Sequence, residues 1–309
     1  MELLMSFVSY TTMYVLVVVS VAFVTLMEQK ILASKQVRLG PNWTSMYGVM
    51  QPFADGVKLL SKEMMYNRVS KVVTYYSAPV LSLVVGLLLW ALYPFYEGGL
   101  DFSYGVMFFM CVSGLGVYPV LLMGWGSNCK YSMLGSLRAV AQMISYEVSM
   151  AVILLSLVWI TGSFSLHELM ESQYLVWNMF FFMPLSLIWL VSSLAETNRT
   201  PYDFSESESE LVSGFNTEYG SAGFTLIFVS EYASILFMSM LFVVFFFSSS
   251  FSSAMGLKSM MMVFVWVWVR ATLPRYRYDK LMGLAWKSVL PVSLMLFIYY
   301  LSLGAWDLM

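Results

Sequence analysis

Five stretches of this chain, residues 3–27, 72–96, 102–129, 172–195 and 288–306, run on without a single charged side chain. A helix needs about 20 mainly apolar residues to cross a bilayer, and every backbone polar group in the hydrocarbon must be satisfied internally. Each run therefore predicts a membrane helix. Two more, 139–166 and 219–247, carry one acid apiece, Glu147 and Glu231. The eighth is weaker, because only Ser259 to Val269 lies between Lys258 and Arg270. It spans if both cations snorkel to opposite interfaces. The expectation is an all-α polytopic membrane protein of eight transmembrane helices, a single domain over 1–309.

Charge placement supports that count. With eight spans, the first, third, fifth and seventh loops share one side and hold fifteen of the 16 Lys and Arg residues. The opposite loops carry Glu97, Asp101, His167, Glu168 and Glu171, with Lys258 as their base. The positive-inside rule places the basic loops in the cytosol or mitochondrial matrix and both termini across the membrane. Only 11% of the residues are charged, against about 25% in soluble domains, which excludes a soluble enzyme, a DNA-binding protein and a disordered scaffold. A net charge of −2 offers nucleic acid no field. Two cysteines, Cys111 and Cys129, and one histidine are too few for a cysteine-ligated iron–sulfur cluster or a multi-histidine site. No glycine-rich dinucleotide motif or internal repeat is visible, and a first apolar run too long for a signal peptide, with no basic residues before it, leads to the expectation of no cleavable presequence. Its 26 methionines suggest translation under an animal mitochondrial code.

Four polar segments fall on the basic side. In residues 42–66, Phe53, Val57, Leu60 and Met64 share one apolar arc, opposite Asp55, Lys58 and Lys62. Such an amphipathic helix lies in the interface, either as a peripheral anchor or as a wall between lipid and a polar chamber. The fourth span opens with Arg138, Gln142, Ser145 and Glu147. Glu147 lies about two turns below Arg138, where a bare carboxylate costs several kcal/mol, so it is protonated, paired or hydrated. It serves either a structural hydrogen bond or a proton relay. Residues 196–218 hold Glu196, Asp203, Glu206, Glu208, Glu210 and Glu218 against the single base Arg199. Acids packed this closely raise one another's pKa and share protons. Residues 270–287 supply Arg270, Arg275, Arg277 and Lys280, natural partners for that acidic loop or for lipid headgroups.

The segments AETNRTPYDFSESESELVSGFNTEY, LRAVAQMISYEVS, QPFADGVKLLSKE and LPRYRYDKLM closely resemble the chain 1 family of mitochondrial NADH:ubiquinone oxidoreductase, respiratory complex I. The resemblance covers essentially the whole chain. It implies a multi-pass subunit of the mitochondrial inner membrane, termini toward the intermembrane space, that forms a ubiquinone chamber and couples quinone reduction to proton translocation. The matching chamber positions are Gln36, Arg38, Phe53, Asp55, Phe224 and Phe228, with the basic positions Arg199, Arg275 and Arg277. The matching proton path is Glu147, Glu196, Glu206, Glu208, Glu210 and Glu231. Ubiquinone is then the substrate, with FMN and iron–sulfur clusters in partner subunits. The implied partners are the hydrophilic quinone-site and terminal iron–sulfur subunits, adjacent small membrane subunits and phospholipids such as cardiolipin. Two positions depart from the family pattern. Gln29 stands where the family usually has arginine, and Ser207 where it usually has glycine, which makes positive φ less accessible there.

Two rival readings share the composition: a stand-alone proton or cation transporter using Glu147 and Glu231, and the related subunit of a membrane-bound hydrogenase. The missing repeat and the heavily charged single face count against the first, and methionine usage against the second. Charge balance adds one geometric expectation. Six acids facing one base beside a low-dielectric chamber need compensation, so Arg275 or Arg277 should touch a carboxylate of residues 196–218.

Overall fold

A computed structural model of the chain describes residues 2–64, 69–95, 99–100, 102–203, 214–250 and 253–307. Among these residues every regular element is helical. They comprise α1 (Glu2–Lys35), α2 (Gln51–Ser61), α3 (Val72–Leu89), α4 (Gly105–Leu115), α5 (Val117–Ser127) and α6 (Lys130–Thr161). The short α7 (Leu166–Glu171) and α8 (Asn178–Phe181) precede α9 (Met183–Glu196). Then come α10 (Ser221–Phe246), α11 (Ser253–Thr272), α12 (Tyr278–Leu284) and α13 (Leu290–Asp307), the last two joined through a π turn at Ala285–Val289.

Seven helical segments among the described residues are long and apolar enough to cross a membrane: α1, α3, the kinked pair α4–α5, α6, α10, α11 and the run through α12 and α13. The stretch 172–195 is less continuous than its composition suggests. Phe182 separates α8 from α9, and α9 has 14 residues. Pro184 in its first turn brings no N–H for a bond to the preceding turn, so the helix restarts there. The helix expected over 42–66 is likewise confined to Gln51–Ser61, with Met64 past its end. A 3-10 turn at Met46–Gly48 precedes it, and the Lys30 ammonium donates to the Tyr47 carbonyl.

The bundle is built around α10. Apolar residues cover its whole circumference, and a helix that is hydrophobic all round belongs inside. Ile235, Leu236, Phe237, Leu241, Phe242, Val243, Val244, Phe245 and Phe246 are all buried. Around it pack α1, α3, α9 and α11, with Trp189 edge-on to Phe245 at 5.3 Å and Phe109 against Phe237 at 6.0 Å. The last carbonyls of any helix lack intrahelical donors, and here that end is buried. Three side chains from other elements supply the bonds. Gln173 Nε2 donates to the Val244 carbonyl (2.7 Å), Asn178 Nδ2 to Phe245 (3.2 Å) and Lys258 Nζ to Phe247 (2.7 Å). Lys258 also lies 4.7 Å from the centre of the Trp177 ring, a cation–π contact that holds its charge at the rim.

On the face of α6 near its start, the 3-10 turn Gly214–Asn216 returns the acidic loop to the bundle. Backbone meets backbone there. A Cβ on Gly135 would come within 2.9 Å of Gly214 Cα and 3.0 Å of Phe215 N, and neither can swing aside. Gly135→Ala is therefore expected to destabilise the protein by about 1–3 kcal/mol, the usual cost of overpacking. A lower yield of folded protein in the membrane fraction would register it; an unchanged yield and thermal stability would show that the turn shifts freely.

Candidate functional site

Glu28 ends the charge-free part of α1 and is buried. A carboxylate at such a depth persists only if paired and hydrogen-bonded. Both conditions are met: Oε1 pairs with Arg270 near the end of α11, and Oε2 accepts the Tyr232 hydroxyl of α10 at 2.6 Å. The Tyr232 ring in turn carries the Arg199 guanidinium on its face, 4.4 Å from the centroid. Arg199 Nη2 reaches Glu231 Oε2 at 3.4 Å, with both side chains largely buried. A single run of contacts thus passes from Arg270 through Glu28, Tyr232 and Arg199 to Glu231. Successive residues Glu231 and Tyr232 point to different sides of α10, so this helix carries the run across its own width.

Beyond Glu231 lies a cavity of about 120 Å³ lined by α3, the α4–α5 kink, α6, the end of α9 and α10. Leu89, Val112, Met123 and Ile227 give it apolar walls, and Ser113, Ser230, Ser234, Glu196, Asn198 and Glu231 face it with polar groups. Glu196 Oε2 and Asn198 Oδ1 are buried without a hydrogen-bond partner among the described residues. Such groups are normally satisfied by water where space permits. At about 10–15 Å³ of such space per water, the cavity has room for several. Glu147 stands beside it. Its carboxylate lies against the bare backbone of α4 at Gly114, where a Cβ would come within 2.9 Å of Oε1, and it interacts electrostatically with Glu196.

The backbone between Glu196 and Asp203 is fixed from two sides. Gln142 Nε2 on α6 donates to the carbonyls of Ala195 (2.8 Å) and Tyr202 (2.9 Å). The Tyr276 N–H donates to the Pro201 carbonyl (2.9 Å), and the Tyr202 and Tyr276 rings stack at 5.7 Å. Burial and the neighbouring Tyr276 phenol push the Tyr202 hydroxyl up to about 12, so it stays neutral at physiological pH. Arg275 reaches buried Asp203 at 3.7 Å, the contact that charge balance calls for. Arg277 instead pairs with its neighbour Asp279 at 3.1 Å on an exposed face, and Arg270 turns inward to Glu28 rather than to the acidic loop. Arg270 departs from expectation because a buried carboxylate on α1 lies within its reach.

The remaining chamber candidates form a separate group. Gln36 and Arg38 are exposed past the end of α1, with Arg38 Nε donating to Gln36 Oε1 at 2.7 Å. Asp55 on α2 accepts from Gln51 (2.9 Å), and Phe53 meets Phe23 of α1 edge-on at 5.9 Å. Phe224, Phe228 and Tyr232 make a continuous aromatic stripe on α10, with centroids 4.3 and 6.3 Å apart, which ends at the Glu28 pair. Ser221 Oγ donates to the carbonyls of Leu59 and Lys62 and ties the start of α10 to α2. Phe53, Phe224 and Phe228 do not line the cavity beyond Glu231. Glu206, Glu208 and Glu210 lie outside the described residues. The sequence reading omitted Glu28 and Tyr232 from the site; their signals were an acid closing a charge-free run and a phenol next to an intramembrane acid.

A model of the family described as NADH dehydrogenase matches residues 8–301. The chain is 52% identical over 301 residues to NADH-ubiquinone oxidoreductase chain 1 of Anopheles gambiae, covering 97% of this chain and 96% of that one. It is 49% identical over 304 residues to the same-named protein of Locusta migratoria, covering 98% and 97%. The Artemia franciscana protein of that name is 50% identical over 291 residues, with 94% and 96% covered.

Removing one partner from a buried ion pair strands the other charge, typically at a cost of about 3–5 kcal/mol. Glu28→Gln is expected to lower the amount of assembled protein sharply, and pairing it with Arg270→Gln should restore part of the loss. Quantitative native-gel staining of the two single variants and the double would check this. A double variant as poor as the sum of the singles would mean that the pair is not a coupled unit.

Proposed function

This chain belongs to the NADH dehydrogenase family, as a membrane subunit of NADH-ubiquinone oxidoreductase in the respiratory chain, and from that membership we propose that it forms a ubiquinone chamber and passes the charge changes of quinone reduction into a buried carboxylate path. The observation that carries the proposal is the contact run Arg270–Glu28–Tyr232–Arg199–Glu231 ending at the cavity shared with Glu196. Phe53, Phe224 and Phe228 supply the aromatic contact area suited to a quinone head or isoprenoid tail, and Gln36, Arg38 and Asp55 the polar rim at its entrance. Arg275 anchors Asp203 at the start of the acidic loop, and Arg277 presents its charge to a docked hydrophilic subunit.

Two-electron reduction of a quinone creates negative charge that demands two protons. A nearby guanidinium responds first. As negative charge grows in the chamber, Arg199 is drawn toward it and its hold on Glu231 weakens. Glu231 then takes up a proton more readily, because a carboxylate that loses its cationic partner in a dry environment favours its neutral form. Water in the cavity connects Glu231 with Glu196 and Glu147, and Glu206, Glu208 and Glu210 feed the same path from the acidic loop. In this chain the electrons come from elsewhere: FMN and iron–sulfur clusters belong to hydrophilic partners docked on the basic face, with small membrane subunits and cardiolipin around the bundle.

The same reading counts α8–α9 as the remaining span, giving eight, with α2 in the interface and the 270–287 loop and 196–218 loop on the matrix side of the inner membrane. Both termini then face the intermembrane space. The Anopheles gambiae, Locusta migratoria and Artemia franciscana relatives carry the chain 1 name, which favours this reading over a stand-alone carrier or a hydrogenase subunit.

Glu147→Gln keeps size and hydrogen bonding and removes the titratable proton. In coupled membrane vesicles it is expected to leave the complex assembled while lowering NADH-driven quinone turnover and the pumping tied to it, by roughly the 10²-fold that removal of a proton-transfer group can cost. Wild-type rate and wild-type protons per electron pair would assign Glu147 a structural hydrogen bond instead. Phe228→Ala should raise the apparent quinone KM with little effect on assembly; an unchanged KM would place Phe228 in helix packing alone.

A further inference from the structure

A second, smaller cavity of about 20 Å³ lies among α1, the end of α9, α10 and α11. Its walls are apolar, chiefly Val24, Ile235 and Val263, apart from Glu28, Arg199, Tyr232, Trp266 and Arg270. Trp266 is 3% exposed, and its indole Nε1–H has no acceptor among the described residues. A buried donor left unmatched costs about 1–3 kcal/mol, so an indole nitrogen is seldom buried beside a space that it leaves unused.

We infer that this cavity binds one water molecule, held by Trp266 Nε1 and bridging the Glu28–Arg270 pair to Arg199. The size fits: about 10–15 Å³ of such space holds one water, and the cavity has little beyond that. The partners fit as well. Water accepts from the Trp266 N–H and from a guanidinium N–H of Arg199 or Arg270. It donates to the Glu28 carboxylate, each of whose oxygens keeps a lone pair beyond its bond to Arg270 or Tyr232. That gives the three bonds typical of buried water. The convergence of an indole N–H, a carboxylate and two guanidinium groups favours water over an apolar guest, and the two guanidinium groups exclude a cation.

The consequence lies in the run of contacts described above. Between Tyr232 and Arg199 that run passes over the face of an aromatic ring, a contact with no hydrogen bond to the guanidinium. A water on Trp266 supplies a hydrogen-bonded link from Glu28 to Arg199 that bypasses the ring. The water site stands on cavity, burial and donor chemistry; its use in coupling rests on the function proposed above.

Electron cryo-microscopy of the intact complex, at a resolution that shows ordered water, tests the site. The expected map has one solvent peak about 3 Å from Trp266 Nε1 and within hydrogen-bonding distance of Glu28 and a guanidinium. The same peak should be missing in the complex carrying Trp266→Phe, which keeps an apolar ring and removes the donor. If Trp266→Phe fails to assemble, the wild-type map decides. Absence of the peak in a map that shows water around Glu196, or a Trp266 N–H bonded to a protein carbonyl, would overturn the inference. Because the readout is density and not turnover, it is independent of whether Glu147 relays protons.

Discussion

A carboxylate inside a membrane helix must be paired, hydrated or protonated, and this constraint organises the protein. Glu28, Glu231, Glu196 and Glu147 sit in or at the ends of apolar helices, and each has met it differently. Glu28 has a guanidinium and a phenol, Glu231 a guanidinium held on an aromatic face, and Glu196 and Glu147 a polar cavity with an α-carbon surface beside it. These solutions need α1, α6, α9, α10 and α11 to converge, so the charges dictate the helix arrangement as much as the apolar packing does. Pairs of this kind add little net stability when complete and cost much when broken. They hold a particular geometry.

The apolar packing makes that geometry rigid. With residues 235–246 of α10 buried on all sides and its C-terminal carbonyls bonded by Gln173, Asn178 and Lys258, the helix that bears both Glu231 and Tyr232 is fixed at its far end. Gln142 and the Tyr202–Tyr276 stack fix the segment that bears Arg199. What remains adjustable is the side-chain layer: Arg199 between the Tyr232 ring and Glu231, and Glu147 against the hydrogen of Gly114. A long guanidinium on a rigid frame is a suitable element to respond to charge appearing in a chamber, because it can move without disturbing a helix.

Much of the architecture was legible in the sequence because charge-free length is a property of the chain itself. The runs at 3–27, 72–96 and 219–247 correspond to α1, α3 and α10. Where the reading strayed, local chemistry intervened: Pro184 restarts α9, and Pro52 with the turn at Tyr47 shortens the helix foreseen over 42–66. Candidate carboxylates were legible where a charge stood out against apolar neighbours, as with Glu147 and Glu231. They were hidden where the partner was distant in sequence. Nothing within the chain text links Glu28 with Arg270 or Tyr232, more than 200 residues away. Asp203 and Arg275 were foreseen as a pair of loops, from charge balance, but which acid and which arginine met was decided by the backbone pairing at Pro201 and Tyr276.

The central claim is that quinone reduction changes the protonation of Glu231 through Arg199. Redox-induced infrared difference spectroscopy of the membrane-embedded complex reads the carboxyl C=O stretch directly. On reduction of the quinone, the wild type should gain a protonated-carboxyl band that shifts in deuterium oxide, and Glu231→Gln, in an assembled complex, should lose it. A difference spectrum identical in the two proteins would contradict the account and would leave the Arg199–Glu231 contact as a structural pair.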